Sequence, residues 1–143
     1  MITLSSDVAT VSADLIRMLK GMAEDNPKMR SRVLLSNEDS GVQEMVIVLK
    51  KGSYVRPHRH PKHKSESYHV IEGELEVRLF NEDGTEHRTI TLNAETPLYR
   101  LQNGWYHQPV PVSDWVVYHE TYQGKFKKEK DVEYGSWAAP ETL

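Results

Sequence analysis

Cysteine is absent from this 143-residue chain. Its absence excludes disulfide frameworks, zinc fingers, iron–sulfur clusters and thiol nucleophiles, so any metal must be held by His, Asp or Glu. Long apolar runs are missing too. The longest stretch of strongly apolar residues is Met45 to Leu49, far short of the roughly 20 residues that span a bilayer. There is no cationic excess: 18 Lys and Arg face 21 Asp and Glu, for a net charge of −3. That balance weighs against a nucleic-acid or anionic-membrane partner. The eight glycines are scattered at turn positions and build no phosphate-cradling loop. The opening residues MITLSSDVATVSADL lack a basic n-region and an apolar h-region and carry Asp7 and Asp14, so the expected location is the cytoplasm. With 38% hydrophobic and 27% charged residues, the composition is that of one ordinary globular domain.

Patterning divides that domain into an N-terminal helical segment (1–26), a barrel (33–122) and an irregular tail (123–143). Val8, Val11, Leu15, Met18, Leu19 and Met22 fall on one helical stripe. Ser5, Ser6 or Ser12 is the candidate N-cap, and Asn26-Pro27 ends the pattern. The stripe is expected to dock on the rest of the domain, because a membrane-surface helix would carry more Lys and Arg. From residue 33 onward short apolar or alternating runs recur: Val42–Leu49, Tyr54–His60, Ser67–Ile71, Glu74–Phe80, Glu86–Leu92, Pro97–Leu101, His107–Val112 and Trp115–Tyr122. Gly, Asn and Asp turns separate them. Leu75, Val77 and Leu79 alternate with Glu74, Glu76 and Arg78, giving a strand with one dry face. The pattern predicts an all-β antiparallel sandwich or barrel. Trp137 suggests that the tail is tied to the body.

Chemistry concentrates in the histidines. Four of the seven, His58, His60, His63 and His69, lie within twelve residues. On a strand, His58 and His60 project from the same face. Glu66 returns after the turn Pro61-Lys62-His63-Lys64, and His107 follows the Asn103-Gly104 turn. Three neutral imidazoles and one carboxylate suit one divalent transition ion: Fe, Mn, Ni, Zn or Cu. An octahedral ion so held keeps two positions for water, substrate or dioxygen. The alternative for RPHRHPKHK is a cationic surface loop. His63, His69 and His87 are read as exposed or hydrogen-bonded residues, with His63 entering the set only if the loop displaces His60.

The spacing of Gly52, His58-x-His60, Glu66 and Gly73 resembles the first motif of the cupins, with five residues between His60 and Glu66 where three or four are usual. Gly104-Trp105-Tyr106-His107 resembles the core of the second motif, with Gln102 and Pro111 in place of its Pro and Asn. More closely, RPHRHP, SESYHVIEGELEVRLF, an Asp-Gly turn and GSWAAPET are similar to the WbuC-type cupin-fold metalloproteins, often encoded beside O-antigen polysaccharide genes. The resemblance implies a small cupin barrel (a double-stranded β-helix, jelly-roll-like) with one N-terminal helix. It also implies a metal held by His58, His60, Glu66 and His107. The function expected from it is that of a metal-dependent enzyme on a small polar substrate such as a sugar or sugar nucleotide, isomerase- or epimerase-like. The alternatives are a cupin oxygenase and a non-catalytic metal- or ligand-binding protein.

Strand parity extends the candidate pocket. Tyr54 and Arg56 share the face of His58 and His60, and Arg56 is either a clamp for an anionic substrate or a bridge to an acidic neighbour. Tyr68 shares the face of Glu66. Tyr118 and Glu120 share a face with Val116; in the opposite register His119 takes the interior. Glu120 and Tyr68 are thus the candidate acid–base residues, and Arg56, Tyr54 and Tyr118 the candidate substrate contacts. The expected partners are a small-molecule ligand and a second copy of the chain in a homodimer, paired through sheet edges.

Overall fold

The computed structural model describes residues 2–4 and 6–141. Among the described residues, eleven strands and two helices follow in the order β1 (Ile2–Thr3), α1 (Ala13–Glu24), β2 (Arg30–Leu34), β3 (Val42–Lys50), β4 (His58–Arg59), β5 (Glu66–Glu72), β6 (Leu75–Phe80), β7 (Glu86–Leu92), β8 (Leu98–Leu101), β9 (Tyr106–Pro111), β10 (Trp115–Gln123), α2 (Lys128–Asp131) and β11 (Glu133–Tyr134). They form a six-stranded sheet, β1-β2-β3-β10-β5-β8, and a five-stranded sheet, β11-β4-β9-β6-β7. Apart from the parallel β1–β2 pair, every pairing is antiparallel.

Period-two alternation sorts the side chains into two clusters. Leu75, Val77 and Leu79 of one sheet meet Leu49, Tyr68, Val70, Val116 and Tyr118 of the other, forming the core between the sheets. The neighbouring residues Val46, Val48 and Val117 point outward, where Leu19 and Ala23 of α1 cover them. The six-stranded sheet is therefore apolar on both faces of its centre, and α1 is its lid. With Val116 and Tyr118 inside, the register of β10 also turns Glu120 inward and His119 outward, where His119 Nε2 lies 3.3 Å from Glu44 Oε1.

Three expectations need correction. First, α1 begins only at Ala13. Ser12 caps it by accepting a hydrogen bond from the Leu15 N–H at 3.1 Å, which leaves Val8 outside the helix and 80% exposed. Ser5, another candidate cap, lies outside the described residues. Second, the Tyr54–His60 run is irregular except at His58–Arg59, because Pro57 and Pro61 have no N–H to give a sheet ladder. Third, the tail is not wholly irregular: α2 and β11 lie within it, and β11 pairs with β4. Trp137 is held as its composition suggested, its indole N–H donating to the Glu82 carbonyl at 3.1 Å and its ring packing 5.1 Å from Phe80. Among the described residues, no helix is long and apolar enough to cross a membrane.

Candidate metal centre

His58 and His107 come together because β4 and β9 pair at those two residues. His60 follows β4, and Glu66 opens β5 in the facing sheet, so the site spans the gap between the sheets. The five-residue connection closes through a turn in which the Lys64 N–H donates to the Pro61 carbonyl at 3.0 Å. Gly104 lets the β8–β9 loop lie against it: φ is +69°, and a Cβ there would stand 3.2 Å from the His60 carbonyl oxygen. One ligand atom from each of His58, His60 and His107 falls within 4.8 Å of the others. Three histidines so placed could hold a divalent metal ion. The Glu66 carboxylate is 2.7 Å from His107 Nε2 and 3.0 Å from His60 Nε2.

The ring orientations are set by backbone carbonyls. His58 Nδ1 lies 2.8 Å from the Arg56 carbonyl oxygen, His60 Nδ1 2.8 Å from that of Asp131, and His107 Nδ1 3.0 Å from that of Trp105. A carbonyl oxygen can only accept, so each Nδ1 carries the hydrogen. In the neutral rings every Nε2 then presents a lone pair. His60 Nε2, His107 Nε2 and Glu66 Oε1 are buried and without a hydrogen-bond partner, although nitrogen and oxygen approach closely. Buried polar atoms left in this state are costly. Three imidazole nitrogens within 4.8 Å of one another, with a carboxylate beside two of them, fit a shared cation.

Electrostatics divides the cluster. Burial, reinforced by charge on His107 and His60, pushes the His58 pKa down to about 3, so that ring is neutral. Burial opposes ionisation of Glu66 as well, but the neighbouring His107 and His60 outweigh it and hold this carboxyl well below its usual range. His60 moves up: burial lowers it, and the negative charge of the Glu66 carboxylate 3.0 Å away more than compensates.

Glu120 has the opposite fate to Glu66. Burial first, and then the negative charge of Glu66, push it up to about 8. Tyr68 is its cross-strand partner. The Tyr68 ring lies 6.5 Å from that of His107. The interior thus holds an anionic carboxylate beside the imidazoles and a protonated one behind it.

The other sequence candidates go elsewhere. Tyr54 is exposed and its hydroxyl donates to the Ala139 carbonyl at 2.7 Å. Arg56 Nη2 donates to the Gly135 carbonyl at 3.3 Å, and the guanidinium stacks 4.8 Å over the Tyr134 ring. Both expectations rested on strand parity that residues 54–57 do not have; the two side chains fasten the tail instead. Tyr118 is 2% exposed and packs in the core, its ring 4.8 Å from Tyr68, so it does not line an open pocket. His63 and His69 are exposed, and so is His87, which stacks on Trp105 at 4.6 Å. The sequence reading missed Asp131, whose main-chain oxygen accepts from His60, and Tyr99, a partly buried ring 5.1 Å from Tyr68 whose buried hydroxyl has no partner among the described residues. Tyr99 was findable from the alternation of Leu98–Leu101; a main-chain acceptor leaves no trace in sequence.

Space at the cluster is tight. The cavity touching His60, Glu66 and His107 measures about 10 Å3 and is walled by Lys64, Gln102 and Trp105. A wider cleft of about 320 Å3 also touches His60 and is lined by Arg59, Lys62, Lys130 and Glu133.

In sequence, residues 11–92 match the family described as Domain of unknown function (DUF6016), more than half of the chain. A comparison with curated proteins finds no match. Similar solved structures include protein SO0799 of Shewanella oneidensis, 15% identical, with a TM-score of 0.56 over 70% of this chain and 65% of that one. The Cnp3 cupin domain of Schizosaccharomyces pombe is 18% identical, with a TM-score of 0.53 over 67% of this chain and 65% of that one. The L-ribose isomerase of Cellulomonas parahominis is 18% identical, with a TM-score of 0.56 over 71% of this chain and 60% of that one. The chain spans less than two thirds of each. At such identities the likeness is one of fold: two antiparallel sheets with an N-terminal helix, in the cupin arrangement.

Proposed function

Because the chain belongs to the family described as Domain of unknown function (DUF6016), whose description names no reaction, we propose its function from the site itself: a metal-dependent enzyme acting on a small polar substrate. One observation carries this reading. His60 Nε2, His107 Nε2 and Glu66 Oε1 converge, buried and without hydrogen-bond partners, with the third imidazole of His58 within reach. His58, His60, Glu66 and His107 would hold one divalent transition ion, Fe, Mn, Ni, Zn or Cu. Such an ion supplies Lewis-acid stabilisation of negative charge on a substrate oxygen.

The chain's own groups do the rest. Three carbonyls lock the imidazoles with Nε2 facing inward, and burial keeps His58 neutral and ready to donate its lone pair. Glu120, held near 8, keeps its proton at neutral pH yet can release it, and Tyr68 beside it can relay that proton. A carboxyl poised near the operating pH is what proton transfer needs. This pairing supports an isomerase- or epimerase-like reaction on a sugar or sugar nucleotide. The likeness to WbuC-type proteins, and through it a link to O-antigen polysaccharide synthesis, rests on the motifs RPHRHP and GSWAAPET and belongs to the same proposal. So do a cytoplasmic location and a homodimer. A second reading, a non-catalytic metal site, is favoured by the cavity of only about 10 Å3 at the cluster.

Elemental analysis of protein purified without a His-tag should find close to one transition metal per chain. His58→Ala and His107→Ala should each weaken metal affinity by more than the roughly 10–100-fold that loss of a supporting partner costs, while His87→Ala leaves it unchanged. Equal effects from all three would refute the site. A panel of sugars and nucleotide sugars in deuterated water, followed by NMR, separates the two readings. Solvent deuterium entering a sugar, lost in Glu120→Gln with metal retained, supports the enzyme; no exchange with any of them supports the non-catalytic site.

A further inference from the structure

We propose that the C-terminal segment from Lys127 to Glu141 is a strap that positions the metal centre, with Asp131 as the residue that fixes His60. The proposal rests on the reading of His58, His60, Glu66 and His107 as metal ligands and adds to it a distant determinant of affinity.

The three imidazoles are not held alike. His58 and His107 donate to carbonyls two residues back in their own segments, Arg56 and Trp105. His60 donates to Asp131, 71 residues further along the chain. His60 also lies outside β4 and directly before Pro61, so no sheet ladder steadies its backbone. Its tautomer and ring angle are therefore set by the tail.

Asp131 is built to hold that position. It is 5% exposed, and its carboxylate is fully engaged. Oδ1 accepts from the Tyr122 hydroxyl at 2.7 Å and from Lys64 Nζ at 2.6 Å, and Oδ2 from the Lys127 N–H at 2.7 Å. Tyr122 packs edge-on against His60 with ring centroids 4.8 Å apart. One buried aspartate thus ties α2, β10 and the β4–β5 connection together around a single ring. Its carboxylate is committed to those partners and is not a ligand itself. The strap is fastened further along as well. β11 pairs Glu133 with Arg59 and Tyr134 with His58, and Trp137 is anchored at Glu82. At the far end, Glu141 receives both terminal nitrogens of Arg30 at 2.9 and 3.0 Å and the Arg56 N–H at 3.2 Å. Supporting hydrogen bonds of this kind fix the ligating nitrogen and its basicity.

The test uses the full chain and Co(II). In metal-free protein at one fixed pH, imidazole 15N shifts report the tautomer of each ring. Asp131→Ala should release His60 from its single Nδ1–H form while His107, held by Trp105, keeps its own. Co(II) affinity should fall by roughly 10–100-fold, with a changed Co(II) absorption spectrum. Asp131→Asn and Tyr122→Phe, each milder, should move the same signals in the same direction by less; they decide the matter if Asp131→Ala also disturbs His107. Unchanged His60 shifts and Co(II) affinity in these variants would overturn the strap. His60→Ala separates the two ideas: if it binds Co(II) as well as the parent, the metal-centre reading itself fails. If it loses Co(II) while the Asp131 and Tyr122 variants do not, only the strap fails.

Discussion

Glu66 and Glu120 show how one residue type takes two roles in the same interior. Both are carboxylates on inward-facing positions, and burial raises the cost of charge on each. Glu66 has two imidazoles within 3.0 Å and stays anionic. Glu120 sees the charge of Glu66 and is driven towards its neutral form. Titratable neighbours pushed apart in this way are a recurring arrangement for acid and base work. The strand that carries Glu66 depends in turn on a single glycine. Gly73 turns β5 into β6 at φ +86°, and a Cβ there would stand 2.2 Å from the Trp115 carbonyl oxygen and 2.5 Å from Ser113 Oγ. Main chain cannot yield as a flexible side chain does. Gly73→Ala should therefore cost at least about 1–3 kcal/mol from the left-handed backbone alone. Gly41→Ala, with nothing within 4 Å of its Cβ, is the control for the added methyl. Urea unfolding of both variants measures the difference, and equal midpoints would contradict the argument.

The elements divide by whether their causes are local. Strand alternation is local, so the dry face of Leu75, Val77 and Leu79 and the shared face of Val116, Tyr118 and Glu120 were legible. The His58–His60 pair was legible through its spacing, and Glu66 and His107 through the resemblance to the cupin motifs; the structure brings the three imidazoles within 4.8 Å of one another and Glu66 beside two of them. The helix stripe was legible at Leu15, Leu19 and Met22 and misread at Val8, which the Ser12 cap leaves outside the helix, and at Met18. That misreading has an energetic consequence. Leu19 is fully buried under the six-stranded sheet, whereas Met18, on the same predicted stripe, is 50% exposed. Leu19→Ala should cost about 2–5 kcal/mol, the range for emptying a core site, and Met18→Ala less than about 0.5 kcal/mol. Thermal or urea unfolding would show whether the two separate. What could not be read was held by distant partners. Arg56 and Tyr54 turn to the tail because Gly135 and Ala139 offer carbonyls there. β11 exists because β4 gives it an edge, and α2 forms where Asp131 finds Tyr122, Lys64 and Lys127.

At the scale of the whole molecule the tail is fastened to the body at Glu141, and that fastening should carry a pH signature. Glu141 bonds Arg30 through both oxygens and has Lys28 Nζ 3.5 Å away. Burial pushes its pKa up, but Arg30, the Arg56 N–H and Lys28 bring it down to about 2, from an ordinary value of 4.5. A carboxyl depressed in the folded state adds stability that is complete above its unfolded value and is lost as the pH falls through its folded value. The window for Glu141 therefore runs from about 4.5 down to about 2. Glu141→Gln removes the titrating group and keeps the shape. Because the other carboxylates titrate in both proteins, the difference between parent and variant isolates this one. Urea midpoints taken across pH should show the parent more stable by a constant margin above about pH 5, with the margin closing as the pH falls towards 2. A margin that ignores pH would mean that the charge of Glu141 does not fasten the tail, and that the strap around His60 is held by Asp131, β11 and Trp137 without it.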